Sequence, residues 1–85
     1  MALQISPPAG ETLKQLREAI ASAIPEAQID VAGAGGHFEI RVVSAAFEGK
    51  NTLAKQRMVY SAIAHLMKGE AAPVHAVDRL ETLTP

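Results

Sequence analysis

The chain has 85 residues, no cysteine and a formal net charge of −1. It is therefore one domain with a modest core, without a disulfide to brace it or a global charge to draw nucleic acid or an anionic membrane. Hydrophobic residues make up 48 % of it, but Phe38, Phe47 and Tyr60 are the only aromatics, so the core must be built from Leu, Ile, Val, Ala and Met.

Residues 1–9 read as a tail carrying Pro7 and Pro8, which suit the opening of a helix. The remaining 10–85 form the domain. Leu13, Leu16, Ile20 and Ile24 then recur at helical spacing, with Ala19 and Ala23 in the same stripe and Lys14, Arg17 and Glu18 away from it. Pro25 ends that helix, because the residue before proline disfavours the α region. "QIDVAG" alternates Ile29 and Val31 with polar or small neighbours, as a half-buried strand does. "GAGG", residues 33–36, predicts a turn that uses positive φ. "HFEIRVVS" alternates again, with Phe38, Ile40 and Val42 on one side, and completes a hairpin.

"SAAFEGK" breaks the alternation, leaving room for a short extra helical turn. From about residue 51 to 68 a second helix is predicted. Leu53, Val59, Ala62, Ile63, Leu66 and Met67 give it an apolar side, while Arg57, Ser61, His65 and Lys68 give it a polar stripe. Gly69 suits the position just past its end. A last strand is predicted over 74–84. Its period slips, because the charged Asp78 shares a parity with Val74, Ala76, Leu80 and Thr82; a β-bulge at Asp78 would re-aim the second half. The elements alternate in the manner of an α+β fold with helices on one face of a small sheet.

No apolar run approaches the ~20 residues of a membrane helix. "MALQISPPAG" lacks the basic-then-apolar pattern of a secretory signal. The expectation is a soluble, cytoplasmic protein with no membrane partner. Nor is there an enzyme motif: no cysteine nucleophile, HExxH, P-loop or GxSxG. "GAGG" lies between two strands and does not open a helix, so it is not a dinucleotide fingerprint.

Three candidates for chemistry remain. His37 stands at the mouth of a strand after a glycine pair. His75 opens the last strand after Pro73 and Val74. Each alone reads as an ordinary exposed or structural histidine, and together they are a pair of nitrogen donors; a tight metal site needs about four ligands. His65 reads as solvated. The third candidate is "FEGKNTLAKQR", where Lys50, Asn51, Lys55 and Arg57 gather near a helix start and could meet a phosphate or an acidic partner surface.

"HFEIRVVSAAFEGK", "RMVY", "PVHAV" and "TLTP" occur in an order and spacing that resemble the BolA family of small proteins, most closely the short bacterial BolA-like type. The likeness runs from the first helix to Pro85. It implies the order α-β-β-α-α-β, similar to a type II KH domain, with a three-stranded mixed sheet and helices on one face. It also implies a non-enzymatic partner of a monothiol glutaredoxin, sharing a glutathione-dependent [2Fe-2S] cluster for iron–sulfur trafficking or iron and redox regulation. The family's characteristic histidine at the start of the last strand matches His75. A second ligand, Cys or His, comes from the loop between the first two strands, where His37 is the candidate. Alone, the chain is expected to carry no cofactor and to be a monomer or weak homodimer.

Cluster chemistry follows from this. Iron–sulfur clusters are held by thiolates, with histidine replacing some of them in mixed sites. A chain without sulfur ligands can contribute only imidazole, so the thiolates must come from the glutaredoxin and glutathione. Neutral imidazole in place of anionic thiolate raises the cluster potential, and protonation of the ligand releases it. The alternative is a nucleic-acid-binding transcriptional regulator that uses the KH-like fold and the basic helix start, with DNA as partner. Against it, the inter-helix stretch "FEGKN" has one glycine, where KH domains use a GxxG loop.

Overall fold

The computed structural model describes residues 9–85. The chain builds helix α1 (Ala9–Ala23), strands β1 (Gln28–Ala34) and β2 (His37–Val43), helix α2 (Thr52–Ile63) and strand β3 (Ala76–Leu83). Single turns of 3₁₀-helix lie at Ala45–Phe47 and Ala64–Leu66. The sheet order is β1-β2-β3, with β1 and β2 antiparallel and β2 and β3 parallel. This is the expected α+β fold with a three-stranded mixed sheet, and the extra helix of the family order is the one turn Ala45–Phe47. The helix begins at Ala9, the last residue of the stretch read as tail; Pro7 and Pro8 lie outside the described residues.

Helix α1 buries its stripe as the spacing demands. Leu16, Ile20 and Ile24 are fully enclosed, Leu13 and Ala19 pack beside them, and Lys14, Arg17 and Glu18 face water. Each large aliphatic side chain buried this way contributes about 1.5–3 kcal/mol. Phe38, Ile40 and Val42 complete the core from β2, Val31 from β1, and Val59, Ile63 and Leu66 from the second helical segment.

The glycine turn is shorter than the sequence suggests. Strand β1 runs on through Gly33 and Ala34, and Ala34 pairs with His37. Only Gly35 and Gly36 turn the chain, at φ +64° and +84°, the two positive values of a type I′ hairpin.

Two details of the second helix differ from expectation. Leu53 is 55 % exposed. At 100° per residue it stands about 120° around the helix from Val59 and about 80° from Ile63, and Met58 packs against the core instead. The regular helix also stops at Ile63 and tightens into the 3₁₀ turn, after which the Leu66 carbonyl accepts the Val74 N–H at 3.1 Å. That bond uses a carbonyl the helix end would otherwise leave open. Gly69, at φ +90°, serves the following turn, whose Ala72 N–H donates to its carbonyl at 3.3 Å.

Strand β3 contains the expected bulge. Phe38 pairs with Val77 and Glu39 with Arg79, which leaves Asp78 without a partner in the ladder. The extra residue changes which parity faces the core: Val77 before the bulge and Leu80 after it both pack inward. Val77, not Ala76, therefore carries the first half of the strand's apolar face. The strand itself is Ala76–Leu83, and Val74 is fully buried just ahead of it.

Ser44 closes the far end of β2. It is fully buried, donates its hydroxyl to the Pro25 carbonyl at 2.7 Å and accepts from the Ala46 N–H at 3.1 Å. Its own N–H donates to the Leu83 carbonyl at 2.9 Å. One small side chain thus ties the α1–β1 connection to the end of the sheet.

Candidate functional site

The parallel pairing of β2 and β3 places their first residues side by side. His37 is opposite Ala76, and the carbonyl of Gly36 accepts the N–H groups of both His75 (2.8 Å) and Ala76 (3.0 Å). His75 is held from its other side too, by the enclosed Val74 and that residue's bond to Leu66. The two histidines therefore occupy one end of the sheet, His37 opening β2 and His75 directly preceding β3, and both are exposed.

Each imidazole has a local seat. A Cβ on Gly36 would lie 2.8 Å from both Cγ and Nδ1 of His75, so the ring rests against the bare glycine. His37 directs Nδ1 at Oδ1 of Asp78, 3.2 Å away, with both side chains more than half exposed. An ionised carboxylate only accepts, so the hydrogen of this bond sits on Nδ1. Nε2 of His37 is the ring nitrogen that Asp78 does not engage.

Among the described residues no three His, Cys, Asp or Glu side chains stand close enough to hold a metal ion. The donor set is two imidazoles at one edge, with a carboxylate behind the first. It suits a cluster only as part of a shared coordination sphere, the rest being thiolate from elsewhere. His65 is exposed at the end of the second helical segment and lies with Ser22, Gln15 and Ser61 along the α1–α2 groove, apart from the pair.

The basic segment belongs to the β2–α2 connection and to α2, not to the strand starts that carry the histidines. Lys50 and Arg57 are exposed and Lys55 is half-buried. Lys55 and Arg57, two residues apart on α2, point about 200° apart around the helix. Asn51 is the N-cap of α2 and accepts the Ala54 N–H at 2.9 Å. The segment follows the C-terminal end of β2, and that end, Val43, lies about 20 Å along the strand from His37.

Gly36 and Asp78 are the site residues not singled out for the site by sequence. Gly36 was legible only as a turn residue. Asp78 was legible as a bulge, but which side chain it would meet depends on the register of β3 against β2.

The family model described as BolA-like protein matches residues 14–85. A protein of the rpoN-murA intergenic region of Acinetobacter guillouiae is 38 % identical over 65 residues, which are 75 % of this chain and 75 % of that protein. Protein BOLA2 of Arabidopsis thaliana is 33 % identical over 78 residues, 87 % of this chain and 80 % of that one. The solution structure of mouse BolA1 superposes with a TM-score of 0.70 at 29 % identity, covering 100 % of this chain and 74 % of that chain. With this mixed three-stranded sheet, and with the family model matched over residues 14–85, the chain belongs to the BolA family.

Proposed function

We propose that this chain is a non-enzymatic partner of a monothiol glutaredoxin and shares with it a glutathione-dependent [2Fe-2S] cluster. His75 is the main iron ligand and His37 the second. The observation that carries the reading is the presence of two exposed histidines at one sheet end, one directly following Gly36 and the other donating its backbone N–H to the Gly36 carbonyl. Nitrogen is the only strong donor type the pair provides, and the glutaredoxin cysteine and glutathione supply sulfur. Cluster release on imidazole protonation favours transfer over storage.

Co-expression with a monothiol glutaredoxin tests this. The two proteins are expected to elute together and brown, with a visible spectrum unlike that of the glutaredoxin homodimer. His75→Ala should abolish that difference, and His37→Ala should weaken it. A colourless complex would leave a metal-free adaptor, and a spectrum indifferent to His75→Ala would remove the direct ligand role.

A further inference from the structure

The bulge in β3 costs a ladder position and leaves a charged side chain out of the pairing. Such a feature at the edge of a site calls for a local reason. It lies at the pairing step next to the two histidines: the register breaks between Phe38 and Glu39, and the unpaired residue is Asp78. The Asp78 carboxylate is the hydrogen-bond partner of His37 Nδ1 at 3.2 Å.

We infer that Asp78 is a positioning residue for His37. Its carboxylate holds the proton on Nδ1, so that Nε2 is the nitrogen offered to iron. This deepens the proposed function and rests on it. A histidine ligand needs its second nitrogen hydrogen-bonded if the ring is to have one tautomer and one orientation, and a carboxylate in that role also makes the donor nitrogen more basic. The need is greater here, because His37 follows a two-residue glycine turn and its side chain is 60 % exposed. The bulge supplies what the turn lacks. Were β3 regular at this point, position 78 would be paired in the ladder like its neighbours. Left out of it, Asp78 leans toward the start of β2. The two seats are unlike: the His75 ring is placed by the bare Gly36, whereas His37 is placed by a charge.

The test begins with the chain alone, where no cluster is involved. Long-range ¹H–¹⁵N correlation spectra of the imidazoles, recorded above the pH at which histidine is protonated, are expected to show His37 with its proton on Nδ1. Asp78→Ala should lose this signature, whereas Asp78→Asn, which retains an acceptor oxygen, should keep most of it. A proton on Nε2 in the parent chain, or a His37 spectrum indifferent to Asp78→Ala, would overturn the assignment. The second arm uses the complex with a monothiol glutaredoxin. Loss of an outer partner of this kind typically weakens metal binding by about 10- to 100-fold. Asp78→Ala should therefore shorten the life of the cluster by about tenfold or more and change its nitrogen hyperfine couplings, with Asp78→Asn intermediate. A cluster unchanged in both respects removes the positioning role while leaving the shared-cluster reading intact. If the parent complex holds no cluster, that reading falls and the inferred role falls with it, even where the tautomer of the free chain is as stated.

Discussion

The imidazole of His75 lies against Gly36 so closely that a single added methyl carbon would stand 2.8 Å from its Cγ. The same glycine accepts the backbone N–H of His75 and directly precedes His37. Gly36 is thus the shared support of both histidines, and its neighbour Gly35 is a natural control. Both have positive φ, but nothing lies within 4 Å of a Cβ on Gly35. Gly35→Ala should cost only backbone strain, about 1–2 kcal/mol, with the cluster of the glutaredoxin complex retained. Gly36→Ala should cost at least as much and also displace the His75 ring, with loss of the cluster spectrum. Urea denaturation of the free chain and visible absorbance of the complex separate the two effects. Equal cluster yields from the two variants would contradict the seating of His75 on Gly36.

The capping role of Asn51 makes a second prediction. Its side chain accepts the Ala54 N–H, so Asn51→Ala should destabilise the fold by about 1 kcal/mol, whereas Asn51→Ser, another good cap, should cost much less. If Asn51 also contacts a partner through its amide, both variants will weaken binding alike. If its contribution is the cap alone, glutaredoxin binding by Asn51→Ser will match the parent chain. Comparing chemical denaturation with calorimetric binding for the two variants decides between them.

Most of the fold was legible because its elements are strongly patterned. The stripe of Leu16, Ile20 and Ile24 and the alternation of Phe38, Ile40 and Val42 each match one period, and the core follows from them. Even the bulge was visible, since a charged residue at Asp78 interrupts a run that otherwise keeps its parity. Leu53 was misplaced because helical spacing is judged against a stripe whose centre only the packing reveals. Val59 and Ile63 set that centre, and Leu53 is off it. The site was half legible. His37 and His75 stand out as donors, but Gly36 and Asp78 acquire their roles from the β2–β3 register, a pairing across about forty residues that no local pattern encodes. Ser44 was silent for a similar reason: its partners are Pro25 and Ala46, and a lone serine after a strand signals neither.

Ser44 gives a stability prediction independent of any partner. Its hydroxyl makes two hydrogen bonds in a fully buried position. Ser44→Ala removes both and leaves the Ala46 N–H and the Pro25 carbonyl to find other partners. The expected cost is about 1–3 kcal/mol. The urea midpoint should fall with little change in slope, because the surface exposed on unfolding is nearly the same. A loss below about 0.5 kcal/mol would mean that water replaces the hydroxyl without penalty.

The nucleic-acid alternative makes its own quantitative demand, and the geometry keeps that demand small. Lys50, Lys55 and Arg57 offer at most three cations, and Lys55 and Arg57 point away from one another around α2. If all three met phosphates, the affinity for a single strand would fall with salt at a logarithmic slope of about −2. Three contacts on a chain of net charge −1 leave little to retain a strand, so binding should be undetectable at ~150 mM salt. Fluorescence anisotropy with a labelled oligonucleotide, run across a salt series, measures both quantities. Retention at that salt with a slope steeper than −2, reduced by Lys50→Glu and Arg57→Glu, would establish a regulator's surface at the helix start. The same two variants are expected to leave the glutaredoxin cluster spectrum unchanged, because their segment follows the end of β2 opposite to the one that carries His37.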